Sequence, residues 1–321
     1  MNSIRNKVDK IVKRFSQVPP PVVMQPIPQP EQPITGDPFL PPELERYIFE
    51  LVAANDTVGS SWSQQHVGDT VLVLPRVCRR VQCWIEPMIY SRIPLMQPVM
   101  DGDRAAKFLA TIDARPACFF ATHVRVLYIG RRIALSAVQR ILSVCTGVVD
   151  FACHYSYLSL SHLLAPLPLQ RLCLSEFAPP STPLPPWAAS LTHLGLTEKI
   201  PADPANAFAA LPALTHLAVG YEALPKQGEP GFGAALTRLF TACGSKLQVF
   251  VLMTGAKTDS RWAYQRLRED AFADPRLYVH LRPIADATWD AWSRHVPDVF
   301  ERAEVEVVRR IEQAHAKTTI S

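Results

Sequence analysis

Apolar residues in this chain follow two rhythms, and the change between them falls near Pro94. Before it the period is helical. Leu44, Tyr47, Ile48, Leu51 and Val52 fall at i, i+3, i+4, i+7 and i+8, one continuous stripe of an α-helix. Pro41 and Pro42 suit its first turn, where a missing N–H costs nothing, and Glu43 and Glu45 complement the positive end of the helix dipole. Asn55 is the expected stop. A second stripe holds Leu74, Val77, Cys78, Val81, Trp84 and Ile85, with Pro75 expected to open that helix and Pro87 to close it near Glu86. Two helices this short bury too little surface to be stable alone. Some of Leu40, Leu44, Ile48, Leu74 and Val77 must therefore meet another surface, in this chain or in a partner. At about 1.5–3 kcal/mol per fully buried large apolar side chain, a handful of them can drive a specific dock.

Beyond Pro94 the pattern becomes apolar-x-x-apolar-x-apolar: Val124-Leu127-Ile129, Val148-Phe151-Cys153, Leu169-Leu172-Leu174, Leu191-Leu194-Leu196, Leu214-Leu217-Val219 and Leu247-Phe250-Leu252. The starts step by 24, 21, 22, 23 and 33 residues. Each triplet predicts a strand whose side chains enter a shared stacked core, since no single unit can bury them alone. Residues 135–144 and 157–167 read as helices, 179–186 as irregular, and 201–211 as a loop with a short turn. The long last step accommodates a helix over 234–242, entered through Gly231-Phe232-Gly233, and residues 276–281 read as a final strand. Pro297 starts a helix with Phe300, Ala303, Val307, Val308 and Ile311 on one face, expected with Trp289 and Trp292 to cover the end of the stack.

Both halves resemble known families. Leu40-Pro41-Pro42-Glu43-Leu44, then Val77-Cys78-Arg79-Arg80-Val81, then Pro87-Met88-Ile89-Tyr90 resemble the successive segments of an F-box, in the divergent form found among fungal F-box-like proteins. Trp84 lies three residues beyond the usual aromatic position, and Tyr90 stands where a tryptophan is common. The triplets resemble irregular leucine-rich repeats that lack the usual asparagine. Together the resemblances imply an α/β chain in which an F-box-like helical module precedes a leucine-rich-repeat solenoid of parallel strands, with helices and loops on its convex side. The expected division is a basic, proline-rich tail over 1–38, the F-box-like module over 39–94, the solenoid over 95–284, and a helical cap and tail over 285–321.

An F-box plugs a recognition domain into a cullin-type (SCF) ubiquitin ligase. The resemblance therefore implies an adaptor whose linker-subunit contacts are Leu40, Pro41, Leu44, Ile48, Leu74, Val77, Cys78, Trp84 and Pro87. Through the linker subunit it would reach the cullin, while the repeats hold a protein target. The expected target contacts are Arg125, Tyr128, Arg171, His193 and His216, read as side chains exposed by the strands. The alternative is a non-catalytic interaction scaffold whose helical head only caps the solenoid. Outside such a complex the expectation is a monomer.

Composition narrows the rest. No run of eighteen apolar residues exists and no secretory apolar segment opens the sequence, and the seven cysteines are odd in number with no C-x-x-C spacing. The expectation is a reduced, cytoplasmic or nuclear protein. Residues 1–15 carry five basic side chains against one acidic, so the remaining residues hold 28 of each sign. That balance argues against nucleic-acid binding. Residues 19–38 contain eight prolines and read as an extended spacer. No P-loop, dinucleotide fingerprint, G-x-S-x-G elbow or H-E-x-x-H is present, so neither catalysis nor a cofactor is expected. His193 and His216 occupy equivalent places in adjacent Leu-Thr-His-Leu units, where a metal would want further ligands that the spacing does not supply.

Overall fold

The computed structural model describes residues 40–58, 69–95, 104–130, 132–178, 184–220, 232–253, 274–280 and 299–320. The basic segment, the proline-rich spacer, Trp289 and Trp292 lie outside the described residues. The chain divides into two compact units, Met1–Glu45 and Arg46–Ser321. In the first, residues 40–45 begin helix α1 (Pro42–Val58), and the N–H groups of Leu44 and Glu45 both donate to the Pro41 carbonyl at 3.0 Å. Pro42 takes the first helical position, where its missing donor breaks nothing. The helix runs on to Val58 rather than stopping at Asn55.

The second unit continues through α2 (Asp69–Val73), a 3-10 turn over Leu74–Arg76 containing Pro75, and α3 (Arg79–Ser91), whose N-cap is Cys78. Pro87 sits inside α3, not at its end. Then come β1 (Arg92–Leu95), α4 (Arg104–Ala114), α5 (Ala117–His123), β2 (Val126–Ile129), α6 (Leu135–Leu142), β3 (Asp150–Cys153), α7 (Tyr157–Leu164) and β4 (Arg171–Glu176). After a 3-10 turn over Pro186–Ala189 follow β5 (His193–Lys199), α8 (Pro204–Ala209), β6 (His216–Gly220), α9 (Phe232–Cys243), β7 (Val249–Met253), β8 (Leu277–His280) and α10 (Val299–Ile320). The last two residues of each of the six triplets fall in strands β2–β7, and the first lies two positions before the strand. The span read as a loop holds α8, with Asp203 as its N-cap accepting from the Asn206 N–H.

The eight strands form one parallel sheet in chain order, β1 to β8. Its entry turns repeat. The N–H groups of Val149 and Asp150 share the Arg125 carbonyl, those of Gln170 and Arg171 share that of Val149, and the pattern recurs at Thr192/His193, Thr215/His216 and Gln248/Val249. Each turn thus hangs on the one before it, and the register propagates. Strand β1 was not foreseen: Arg92-Ile93-Pro94-Leu95 carries no triplet, and Pro94 is tolerated because this is the edge strand.

Alternation along each strand gives the sheet two apolar faces. Leu127, Ile129, Phe151, Cys153, Leu172, Leu174, Leu194, Leu196, Leu217, Val219, Phe250 and Leu252 share the larger core with residues of α4 to α9. The opposite positions, Tyr128, Ala152, Cys173, Ala218, Val251 and Met253, form a second core with Val299, Phe300, Ala303 and Val307 of α10. The C-terminal helix was expected to cover an end of the stack. It packs on one face of the sheet, chiefly over β7 and β8, the last two strands, where the apolar strand positions give it a surface to bury.

Candidate docking surface

The helical head has a small core of its own: Ala53, Val71, Leu74, Val81 and Ile85, with Phe49, Trp84, Met88 and Ile89 packed around it. Helix α1 turns Phe49 and Ala53 inward, and the stripe read from the sequence is left in water. Tyr47 is 63% exposed, Leu51 48% and Ile48 46%, and Val52 is also exposed. Within the first unit, Leu40 and Leu44 are exposed too. The end of α2 adds Leu72 and Val73, and the turn after it Val77, each more than half exposed. Three expected contacts are not fully exposed. Leu74 is buried in the head's own core, and Trp84 and Pro87 are half-buried, with the Arg80 guanidinium 5.5 Å from the Trp84 ring centroid. Cys78 is exposed as expected.

Helix α3 passes into β1 without an intervening loop. Arg115, between α4 and α5, grips Glu86 of α3 in a two-pronged ion pair of 2.7 and 2.9 Å. That guanidinium holds the Glu86 carboxyl below the usual carboxylate range, against the opposing effect of burial. Tyr90 packs edge-on against Phe119, ring centroids 5.1 Å apart, and against Phe120.

Of the expected target contacts, His193 and His216 lie against Phe300 of α10. Tyr128 is buried and its hydroxyl donates to Asp150 Oδ2 at 3.1 Å. Burial, then the Asp150 charge, pushes its phenol far above the usual value. His216 is buried and His193 and Arg171 are half-buried, so the expectation of five exposed strand side chains fails except for Arg125. Arg125 itself donates to the Gly147 carbonyl at 3.0 Å. A Cβ on Gly147 would sit 2.0 Å from the Ala121 carbonyl oxygen, so this close backbone approach requires glycine.

Asp150, Arg171, His193, His216 and Val249 stand in register across β3 to β7. Arg171 pairs with Asp150 at 3.9 Å. The two imidazoles stack, with centroids 4.1 Å apart and planes 9° from parallel, and Phe300 meets both edge-on. Burial, then the charges of Arg171 and His216, lowers the His193 pKa to about 2, so its ring is neutral. Glu304 of α10 brings Oε1 to 2.8 Å from His216 Nε2. Sequence reasoning paired the histidines but missed Glu304. Its one visible signal was its place a turn beyond Phe300 on a helix that needed a surface. Burial lifts the Cys145 and Cys153 thiols to about 12 and that of Cys243 to about 11, far from nucleophilic reactivity at neutral pH.

Among the described residues, no helix is long and apolar enough to cross a membrane. No family model, no curated protein and no solved structure matches this chain.

Proposed function

We propose that this protein is a substrate-recognition adaptor of a cullin-type (SCF) ubiquitin ligase, with an F-box-like head that binds the linker subunit and a leucine-rich-repeat body that holds a protein target. The observation that carries the reading is the outward stripe of α1. Tyr47, Ile48 and Leu51 stay in water although the head has a core in which to hide apolar groups. An exposed apolar surface of this kind marks an interaction site. The recurring strand-entry bonds support the repeat reading of the body. The adaptor performs no bond chemistry of its own. Holding the target beside a charged ubiquitin carrier raises the effective concentration of the reacting groups and makes transfer nearly unimolecular. Target contacts belong to the surface that α10 leaves in water.

The direct passage from α3 into β1, fastened by Glu86 and Arg115, favours a second reading in which the head only caps the sheet. Capping accounts for the buried side of the head but gives the exposed stripe nothing to do. Affinity purification of the intact chain separates the two. The adaptor reading expects a linker–cullin complex that is recovered with the wild type and lost with Leu40→Ala plus Pro41→Ala. A clean purification without that complex favours the cap.

A further inference from the structure

We infer that His193, His216 and Glu304 form a binding site for a divalent transition-metal ion of zinc's class, held by the two Nε2 atoms and one carboxylate oxygen, which clasps α10 to strands β5 and β6. This goes beyond the adaptor reading and does not depend on it.

The hydrogen-bond network makes the case. Thr192 Oγ1 donates its proton to the Gln170 carbonyl at 3.1 Å and also lies 2.7 Å from His193 Nδ1. Thr215 Oγ1 donates to the Thr192 carbonyl at 3.3 Å and lies 2.8 Å from His216 Nδ1. Where each hydroxyl gives its one proton to the carbonyl, it accepts from its neighbouring ring. In that arrangement both imidazoles carry hydrogen on Nδ1 and a lone pair on Nε2, the tautomer a metal takes. Metal-binding histidines are commonly oriented in this way, by a hydrogen bond from the nitrogen that does not bind. The third donor is the Glu304 carboxylate, and the ligand atoms of all three residues lie within 4.8 Å of one another.

Three electron-pair donors facing one another repel unless a cation stands among them. Two imidazoles and one carboxylate suit zinc and its neighbours rather than magnesium or calcium. Zinc bonds of these lengths in a tetrahedron separate ligand atoms by about 3.3 Å. Binding therefore widens the 2.8 Å gap between His216 and Glu304 and splays the stacked rings. Glu304 is half exposed and free to adjust, and its exposure leaves a solvent side where water completes the coordination. Arg171, whose charge reaches His193, is engaged by Asp150. The rival cation is a proton on His216 shared with Glu304, and it makes opposite predictions.

The test uses the full chain, stripped with a chelator, incubated with zinc chloride, desalted and measured for bound metal, with cobalt(II) as a spectroscopic probe. The expected result is about one zinc per chain, since the three donors make one site. It should come with visible cobalt absorption of a nitrogen–oxygen site and a thermal midpoint that rises with zinc. Glu304→Gln, which changes an exposed side chain and leaves the circular dichroism spectrum intact, and His193→Gln should each weaken retention by about tenfold or more. Equal retention in wild type and both variants would place the metal elsewhere, at exposed cysteines such as Cys78 or Cys83, and overturn the assignment. No zinc retained above the buffer control would leave the shared proton and overturn it equally.

Discussion

The Tyr128 hydroxyl reaches across one strand step to Asp150 Oδ2, 3.1 Å away and buried against the second core. Replacing Tyr128 with phenylalanine keeps the ring and leaves the carboxylate one donor short. The loss should be about 1–3 kcal/mol, the cost of removing one partner of a buried polar pair. In urea the midpoint should fall with an unchanged m-value. An unmoved midpoint would mean that the bond does not form in solution.

Phe300 tests whether α10 is part of the folded body. Its ring is buried against the sheet and touches both histidines. Phe300→Ala should cost about 3–5 kcal/mol, as large-to-small changes in cores do. A cost below about 0.5 kcal/mol is that of a surface site and would show the helix undocked.

Gly147→Ala should destabilise by about 1–3 kcal/mol through forced backbone displacement, because the new methyl meets the Ala121 carbonyl rather than a yielding side chain. Thermal unfolding of the variant beside a surface control such as Ala106→Ser reads this directly.

Glu86 and Arg115 give the head a pH dependence of known sign. The folded carboxyl has a lowered pKa, so the pair stabilises the protein fully above the unfolded value of roughly 4.3. That contribution disappears as pH falls through the folded value, because there the unfolded chain binds the additional proton. Arg115→Met should be less stable than wild type at neutral pH, and the difference should shrink as the solution is acidified below pH 4. A difference that stays constant with pH would assign the effect to packing.

Much of the sheet was legible because each triplet carries its own signature. Leu172 and Leu174, like Leu194 and Leu196, are set by strand alternation to enter one core, and nothing distant is needed to place them. Strand β1 was not legible, being four residues with a proline and no triplet. Pro87 was read as a helix end, yet α3 continues past it to Ser91, with Ile85 before it and Met88 and Ile89 after it packed into the head's core against the cost of one lost backbone bond. The position of α10 was hidden for another reason. An apolar helical stripe says that a face seeks burial, not which surface receives it. The same ambiguity hid the difference between Leu74, which turns into the head, and Val77, which turns out. Glu304 joined the histidine pair only once α10 was in place, which made the third ligand unreadable from local spacing.

The most direct measurement is a calorimetric titration of the purified linker subunit into the full-length chain, in the wild type and in a variant with Ile48→Asp and Leu51→Asp. Both changes fall on exposed positions of α1, so stability should move by no more than about 0.5 kcal/mol for each. The adaptor account predicts one-to-one binding by the wild type and a loss of about tenfold or more in the variant, since each apolar side chain buried at such a dock contributes more than 1.4 kcal/mol. Absence of binding by the wild type, or equal affinity in the variant, would contradict it.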